Sequence, residues 1–342
     1  YMLCFAVATP FAGRATDHWG AHKVFAAGVA LTALGFTWTA LANAYWQLLP
    51  ARALCACGYA TGTIACQRQL IALTPAGERA RGLALFVGAV GVAAICGAAL
   101  GGVLADQFGF RCVLAASALL ALLALAAYRY PPERIAGAHA STPALRLAEV
   151  RALLGDHRFA CLMLGAAVPA KIALAGLLFY LTPLALHEVG YNPAAIGRAV
   201  MLYFVLVAVV NPLASRLSDR FGWRLSLTLA GGALIGLGGL AGVGDGLTAE
   251  QTVWLAIAGL GVGTGLATAP MQALASVLGA SAGATSVAVV LRTIERLGSA
   301  IGPLWAGVWL AAAGWRWALA AVGSVVLAAT LLCLFSRTSG VR

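Results

Sequence analysis

The sequence predicts an all-α polytopic membrane protein built as two homologous helical bundles. Three observations carry that reading. The 342 residues are 62% hydrophobic and only 10% charged, against roughly a quarter charged in an ordinary soluble domain. Apolar runs of roughly twenty residues recur along the chain, and each can cross a hydrocarbon core of about 30 Å. Blocks of sequence also return in order, at offsets of 202, 203 and 205 residues. Spanning segments must be helices or closed barrels. Continuous rather than alternating apolar runs exclude the barrel.

Taken in order, the runs place spans near 1–13, 24–44, 47–72, 83–104, 112–128, 159–185, 199–215, 225–243, 252–274, 287–313 and 316–335. The first is short, because thirteen helical residues reach only about 20 Å. Its counterpart in the second copy begins near Arg198. The expectation is an N-terminally truncated chain whose first bundle lacks helix 1 and part of helix 2. Residues 1–128 then form a partial N-terminal bundle (helices 2–6), and 159–342 form a complete C-terminal bundle (helices 7–12). The Pro- and Arg-bearing stretch 129–158 links them as a polar central loop.

Loop charge sets the sidedness. With the loop containing Arg14 and Lys23 inside, the inner loops and tail hold fifteen Lys and Arg and the outer loops three (Arg111, Arg198 and Arg316). Cytoplasmic loops collect Lys and Arg, so the central loop and C-terminus are expected to be cytoplasmic, in a cell inner membrane. The net charge of +11 reflects this topology and is no sign of nucleic acid. The eight Cys fall in or beside apolar runs without metal-ligand spacing, which suits small core residues. No metal and no cofactor are expected.

The repeat is most evident in "TPFAGRATDHWG" (9–20) and "NPLASRLSDRFG" (211–222), which align Pro10 with Pro212, Arg14 with Arg216, Asp17 with Asp219 and Gly20 with Gly222. "GYATGTIACQRQ" (58–69) returns as "GVGTGLATAPMQ" (261–272), and "GAALGGVLADQFGFR" (97–111) as "GPLWAGVWLAAAGWR" (302–316). The last pair matches Gly109 to Gly314 and Arg111 to Arg316. Restoring one helix makes six plus six, in parallel topology.

Two six-helix halves, each with a charged Gly/Asp segment after its second helix, resemble the major facilitator superfamily of secondary transporters. Gly13, Asp17, Gly20 and Lys23 match the loop pattern in the first copy, with Ala21 and His22 in place of a basic pair. Asp219, Arg220, Gly222 and Arg224 match it in the second, with Ser215 for the leading Gly. Arg52, Ala56 and Gly58 resemble the family's helix 4 motif. In "GAALGG" (97–102), Ala98 stands where antiporters of the family carry Pro. The resemblance implies alternating access, with a midplane substrate site between halves and the charged segments acting as a cytoplasmic gate. The residues also permit a plainer role for those segments. Gly allows a tight turn, Asp caps a helix N-terminus, and the basic side chains anchor the inner face.

Charges inside spans are costly and therefore informative. Lys171 lies near the middle of its span, two residues after Pro169. It either meets an anionic substrate group or pairs within the bundle. Arg52, Tyr59, Thr63 and Gln67 share one helix face and are candidates to line an aqueous cavity; Arg52 could equally pair with a group on helix 1. Arg292, Glu295 and Arg296 cluster at i, i+3, i+4 where the first half has Val87, Val90 and Gly91. Two arginines hold Glu295 ionised, which suits a gate salt bridge that could reach Asp17 better than a proton carrier.

"GLGVGTG" (259–265) sits inside an apolar span with no preceding strand, so it is a helix-packing stretch rather than a nucleotide loop. No Walker sequence is present, which excludes an intrinsic ATP-driven pump. No Ser/His/Asp set or embedded His cluster points to an enzyme. The expected function is transport of a small organic anion or zwitterion, with or without a coupling proton, by a monomer in the bilayer. A drug or metabolite exporter and a non-transporting sensor are the alternatives.

Overall fold

The computed structural model describes residues 1–74, 79–128, 153, 155–244, 246–279 and 284–336. The described chain is helical throughout. In order come α1 (Met2–Trp19), α2 (Ala21–Leu41), α3 (Tyr45–Leu73), α4 (Arg79–Ala127), α5 (His157–Glu188), α6 (Pro193–Phe221), α7 (Arg224–Leu240), α8 (Ala249–Leu278), α9 (Ala284–Ala313) and α10 (Trp315–Ser336). Seven helices of the described residues (α2, α4–α8 and α10) are long and apolar enough to cross a bilayer. The other three carry Arg14 and Asp17 (α1), Arg52 and Gln67 (α3), and Arg292, Glu295 and Arg296 (α9), while among the seven α5 carries Lys171. Most of the central loop (129–152 and 154) and the tail 337–342 lie outside the described residues, and with them their expected sidedness.

The chain separates into two compact units, Tyr1–Ala93 with Val103–Ala144, and Ala94–Gly102 with Leu145–Arg342. In the first, α2 lies along α3 at backbone contact. A Cβ placed on Gly28 would come within 2.5 Å of the Gly62 nitrogen, and one on Gly58 within 2.7 Å of the Gly28 oxygen. In the second, α7 and α8 cross the same way. A Cβ on Gly231 would lie 2.4 Å from the Gly263 oxygen. Lipid tails supply no hydrophobic drive for helix pairing, so close approach through small residues is what holds such crossings.

The core of the second unit fills the space between α5–α8 and α10 with Leu177, Leu178, Leu181, Ile235, Ile257 and Leu319. A second cluster, including Phe159, Met163, Met271 and Val290, ties the start of α5 to α8 and α9. In the first unit Phe5 packs on Ala56 and Ala60, setting α1 against α3.

The repeat reappears in the backbone. Among the described residues five glycines have positive φ, and four of them are two aligned pairs: Gly20 with Gly222 (84° and 70°), and Gly109 with Gly314 (78° and 84°). These are left-handed positions that glycine occupies without steric penalty. Gly109 breaks α4, whose apolar part, Leu85–Ala127, has 43 residues. Uninterrupted, that length would reach about 64 Å, twice a hydrocarbon core, so the expected spans 83–104 and 112–128 are joined by one residue rather than a loop. The aligned arginines also do the same work. Arg111 donates to Asn43 Oδ1 (2.9 Å) after α2, and Arg316 donates to the Leu247 carbonyl (3.2 Å) after α7.

Two expectations need correction. The span ending at residue 13 continues as helix through Trp19, and the one at 199–215 extends over Pro193–Phe221. Nothing between Pro10 and Gly20 breaks a helix, so the charged segment rides on the last turns of α1 instead of forming a loop. Asp17 and Asp219 also cap nothing. The N-caps of α2 and α7 are Gly20 and Trp223, neither with a side-chain hydrogen bond. The side-chain caps lie elsewhere: Asn192 on α6, and the reciprocal Thr248/Gln251 box on α8.

Candidate functional site

Helix α5 is irregular where it matters. Two π-helical stretches, Met163–Ala167 and Leu174–Leu181, each end two residues before a proline, Pro169 and Pro183. Proline has no N–H, and its ring clashes with the carbonyl four residues back. The wider π turn accommodates that loss. Lys171 sits on the short α-helical piece between the two stretches.

Small residues bring α9 against this piece. A Cβ on Gly298 would lie 2.8 Å from the Val168 oxygen, and one on Gly302 would lie 2.5 Å from the Ile172 oxygen. Glu295, three residues before Gly298, is thereby delivered to Lys171. Its Oε1 stands 3.6 Å from Lys171 Nζ, and the two side chains are 15% and 26% exposed. That distance is an ion contact too long for a direct hydrogen bond. Ala170, Leu174, Ala267 and Met271 make the surrounding recess mainly apolar, with Thr264 and Thr268 as its hydroxyl-bearing lining. At an effective dielectric of about 20 the attraction is on the order of 4 kcal/mol, largely offset by the desolvation of both charges.

Sequence reasoning put Lys171 with the substrate residues and Glu295 with the gate, whereas the structure places them in one recess. Arg292 and Arg296 flank Glu295 on α9 as expected; Arg292 is exposed and Arg296 half-buried. The remaining substrate candidates lie on α3 in the other unit. Arg52 is exposed, and among the described residues no acidic side chain pairs with it. Tyr59 is exposed with its ring 5.6 Å from that of Phe5. Thr63 donates its hydroxyl to the Tyr59 carbonyl at 2.6 Å, which leaves it only an acceptor for any ligand. Gln67 is half-buried.

At the α1 end, Asp17 pairs with Arg68 of α3. Gly13, one helical turn earlier on the same face, lies beside the guanidinium. A Cβ there would sit 3.7 Å from Arg68 Nη2, an ordinary contact, in keeping with Ser215 at the aligned position. Arg68 is the partner of Asp17 that sequence reasoning missed, having counted it only among inner-side charges. The available signal was the polar run Gln67–Arg68–Gln69 at the end of an apolar helix. Gly20 makes the turn into α2, and Lys23 is exposed in its first turn. In the second copy Asp219 is exposed, Arg220 lies 5.5 Å over the Phe221 ring, Gly222 makes the turn, and Arg224 Nε is buried without a hydrogen bond. Met271 occupies the position aligned with Arg68 and is buried.

Among the described residues no group of three His, Cys, Asp or Glu side chains is placed to hold a metal ion.

Three similarities to known proteins agree with this architecture. The chain is 18% identical to a bacterial homologue of the human lysosomal transporter Spinster, solved inward-facing and occupied. The superposition covers 99% of this chain and 90% of that one, with a TM-score of 0.75. It is 28% identical over 237 residues to multidrug resistance protein MdtH of Sodalis glossinidius (strain morsitans), covering 68% of this chain and 56% of the relative. The chain thus matches little more than half the length of that relative. The family model of the Major Facilitator Superfamily matches residues 1–303. With its duplicated all-helical bundles and repeated glycine turns, the chain is a multi-pass membrane protein that belongs to the Major Facilitator Superfamily.

Proposed function

We propose that the protein is a secondary active transporter that moves a small organic anion or zwitterion across the inner membrane by alternating access, with a proton as the coupling ion. The observation that carries this reading is the Lys171–Glu295 pair in its recess. A cation and an anion held 3.6 Å apart without a direct hydrogen bond form a pair whose partners can be exchanged. An incoming carboxylate that takes Lys171 leaves Glu295 unpaired, and an unpaired charge at this depth is costly. Protonation of Glu295 removes that cost. Lys171 turns from Glu295 to the substrate carboxylate, and a proton on Glu295 takes the place of the lost counter-charge. Anion entry and proton uptake are linked one to one. A zwitterion satisfies both partners itself and needs no proton.

Export of drugs or metabolites is the second reading, favoured by the 28% identity to a multidrug resistance protein. There the pair stays closed and the apolar lining binds the cargo. Uptake into proteoliposomes under an imposed proton gradient, with organic anions, sugars and cationic drugs, separates the two. Anion flux abolished by Lys171→Ala supports the anion reading. Flux of cationic or neutral drugs alone, undiminished in Lys171→Ala, overturns it.

A further inference from the structure

We infer that the groove between α1 and α2 binds an anionic phospholipid of the leaflet on the Gly20 side, its phosphate at Lys23 and one acyl chain along the groove. This inference is independent of the cargo.

The groove follows from how the first unit packs. Helix α2 lies on α3 through Gly28, Gly58 and Gly62, and α1 lies on α3 through Phe5. Both helices are seated on a third rather than on each other, so a slot remains between them. Ala15 and Trp19 form one wall, Val24, Ala27 and Leu31 the other, and Thr61 the floor. Thr61 turns its hydroxyl back to the Cys57 carbonyl, leaving hydrocarbon facing the slot. A groove so lined at bilayer depth suits an acyl chain, not water.

Charge decides which lipid. Lys23 stands at the Gly20 end of the slot, exposed, with no hydrogen bond or ion pair among the described residues. Asp17 does not neutralise it. Two residues from both Ala15 and Trp19, Asp17 lies on another side of α1, where Arg68 holds it. Trp19, 64% exposed beside Lys23, is the kind of amphipathic ring that sits at headgroup level. From Lys23 to Leu31 the helix rises about 12 Å, within the ~15 Å half-thickness of the hydrocarbon. The slot thus runs from headgroup depth toward the midplane, as a lipid chain does. A lone cation at its mouth favours a net-negative headgroup over one that carries its own ammonium.

The test is native mass spectrometry of the protein released from nanodiscs of equal phosphatidylglycerol and phosphatidylcholine with identical chains. One retained phosphatidylglycerol, about fivefold favoured over phosphatidylcholine, is expected. Lys23→Gln should abolish the preference, and Lys23→Arg should keep it. Ala27→Trp, which fills the slot, should remove the bound lipid whichever headgroup it carries. Equal retention of the two lipids by the parent, an unchanged preference in Lys23→Gln, or full retention in Ala27→Trp would each overturn the assignment. Displacement of the lipid by cationic amphiphiles with the preference gone would also do so, marking the slot as a drug-binding surface.

Discussion

The two halves share a backbone and differ in chemistry. Gly20 and Gly222 turn the chain at one end, Gly109 and Gly314 at another. Gly28 and Gly231 let aligned helices meet, and Arg111 and Arg316 each hold the loop after an aligned helix. The ionised pairs are not duplicated. Asp17 has Arg68, while Asp219 has Met271 at the aligned position. Glu295 has Lys171, while the first half has Val90 where α9 has Glu295. Duplicated positions therefore carry the scaffold, and the ion pairs lie where the two copies have diverged. An exposed pair such as Asp17–Arg68 adds little stability, so under the proposed transport cycle it is a gate contact that only one half carries.

This contrast can be broken at graded cost. Leucine at Gly231, or at Gly28, would push apart helices in backbone contact. Each should cost about 3 kcal/mol and act alike in the two halves, as thermal unfolding in detergent would show. A large loss in one half only would mean that the crossings are not equivalent. Lys171→Ala should cost about 2 kcal/mol, because it strands a partly buried carboxylate. The double variant Lys171→Ala/Glu295→Ala should recover most of that, and failure to recover would mean the two side chains do not act as a pair. Arg111→Ala and Arg316→Ala should each cost about 1 kcal/mol, by similar amounts. Asp17→Asn should change stability by less than about 0.5 kcal/mol yet slow transport, whereas Asp219→Asn should change both little. Equal slowing by the two would return the gate to a symmetric design.

Much of the fold was legible because duplication wrote it twice. The glycine turns, the aligned arginines and the two-bundle order all followed from matched blocks. The extent of α1 was not, because charged residues ending a membrane helix read as a loop when lipid is assumed to stop at the first charge. The site was only half legible. A lysine mid-span announces itself by cost, but its partner was hidden by sequence distance. Glu295 reaches Lys171 because Gly298 and Gly302 let α9 touch α5, and no pattern within either helix states which partner it faces. Arg68 was hidden for the opposite reason. At the end of its helix a basic residue is ordinary, and only the packing of α1 on α3 singles it out.

The most direct test compares driven and undriven movement of an organic anion in proteoliposomes carrying the parent or Glu295→Gln. The amide is a permanently neutral stand-in for the protonated acid. Anion exchange at equal concentrations should persist in Glu295→Gln, because Lys171 remains available. Accumulation driven by an imposed proton gradient should be lost. Gradient-driven accumulation that survives in Glu295→Gln would contradict the account and place the coupling elsewhere.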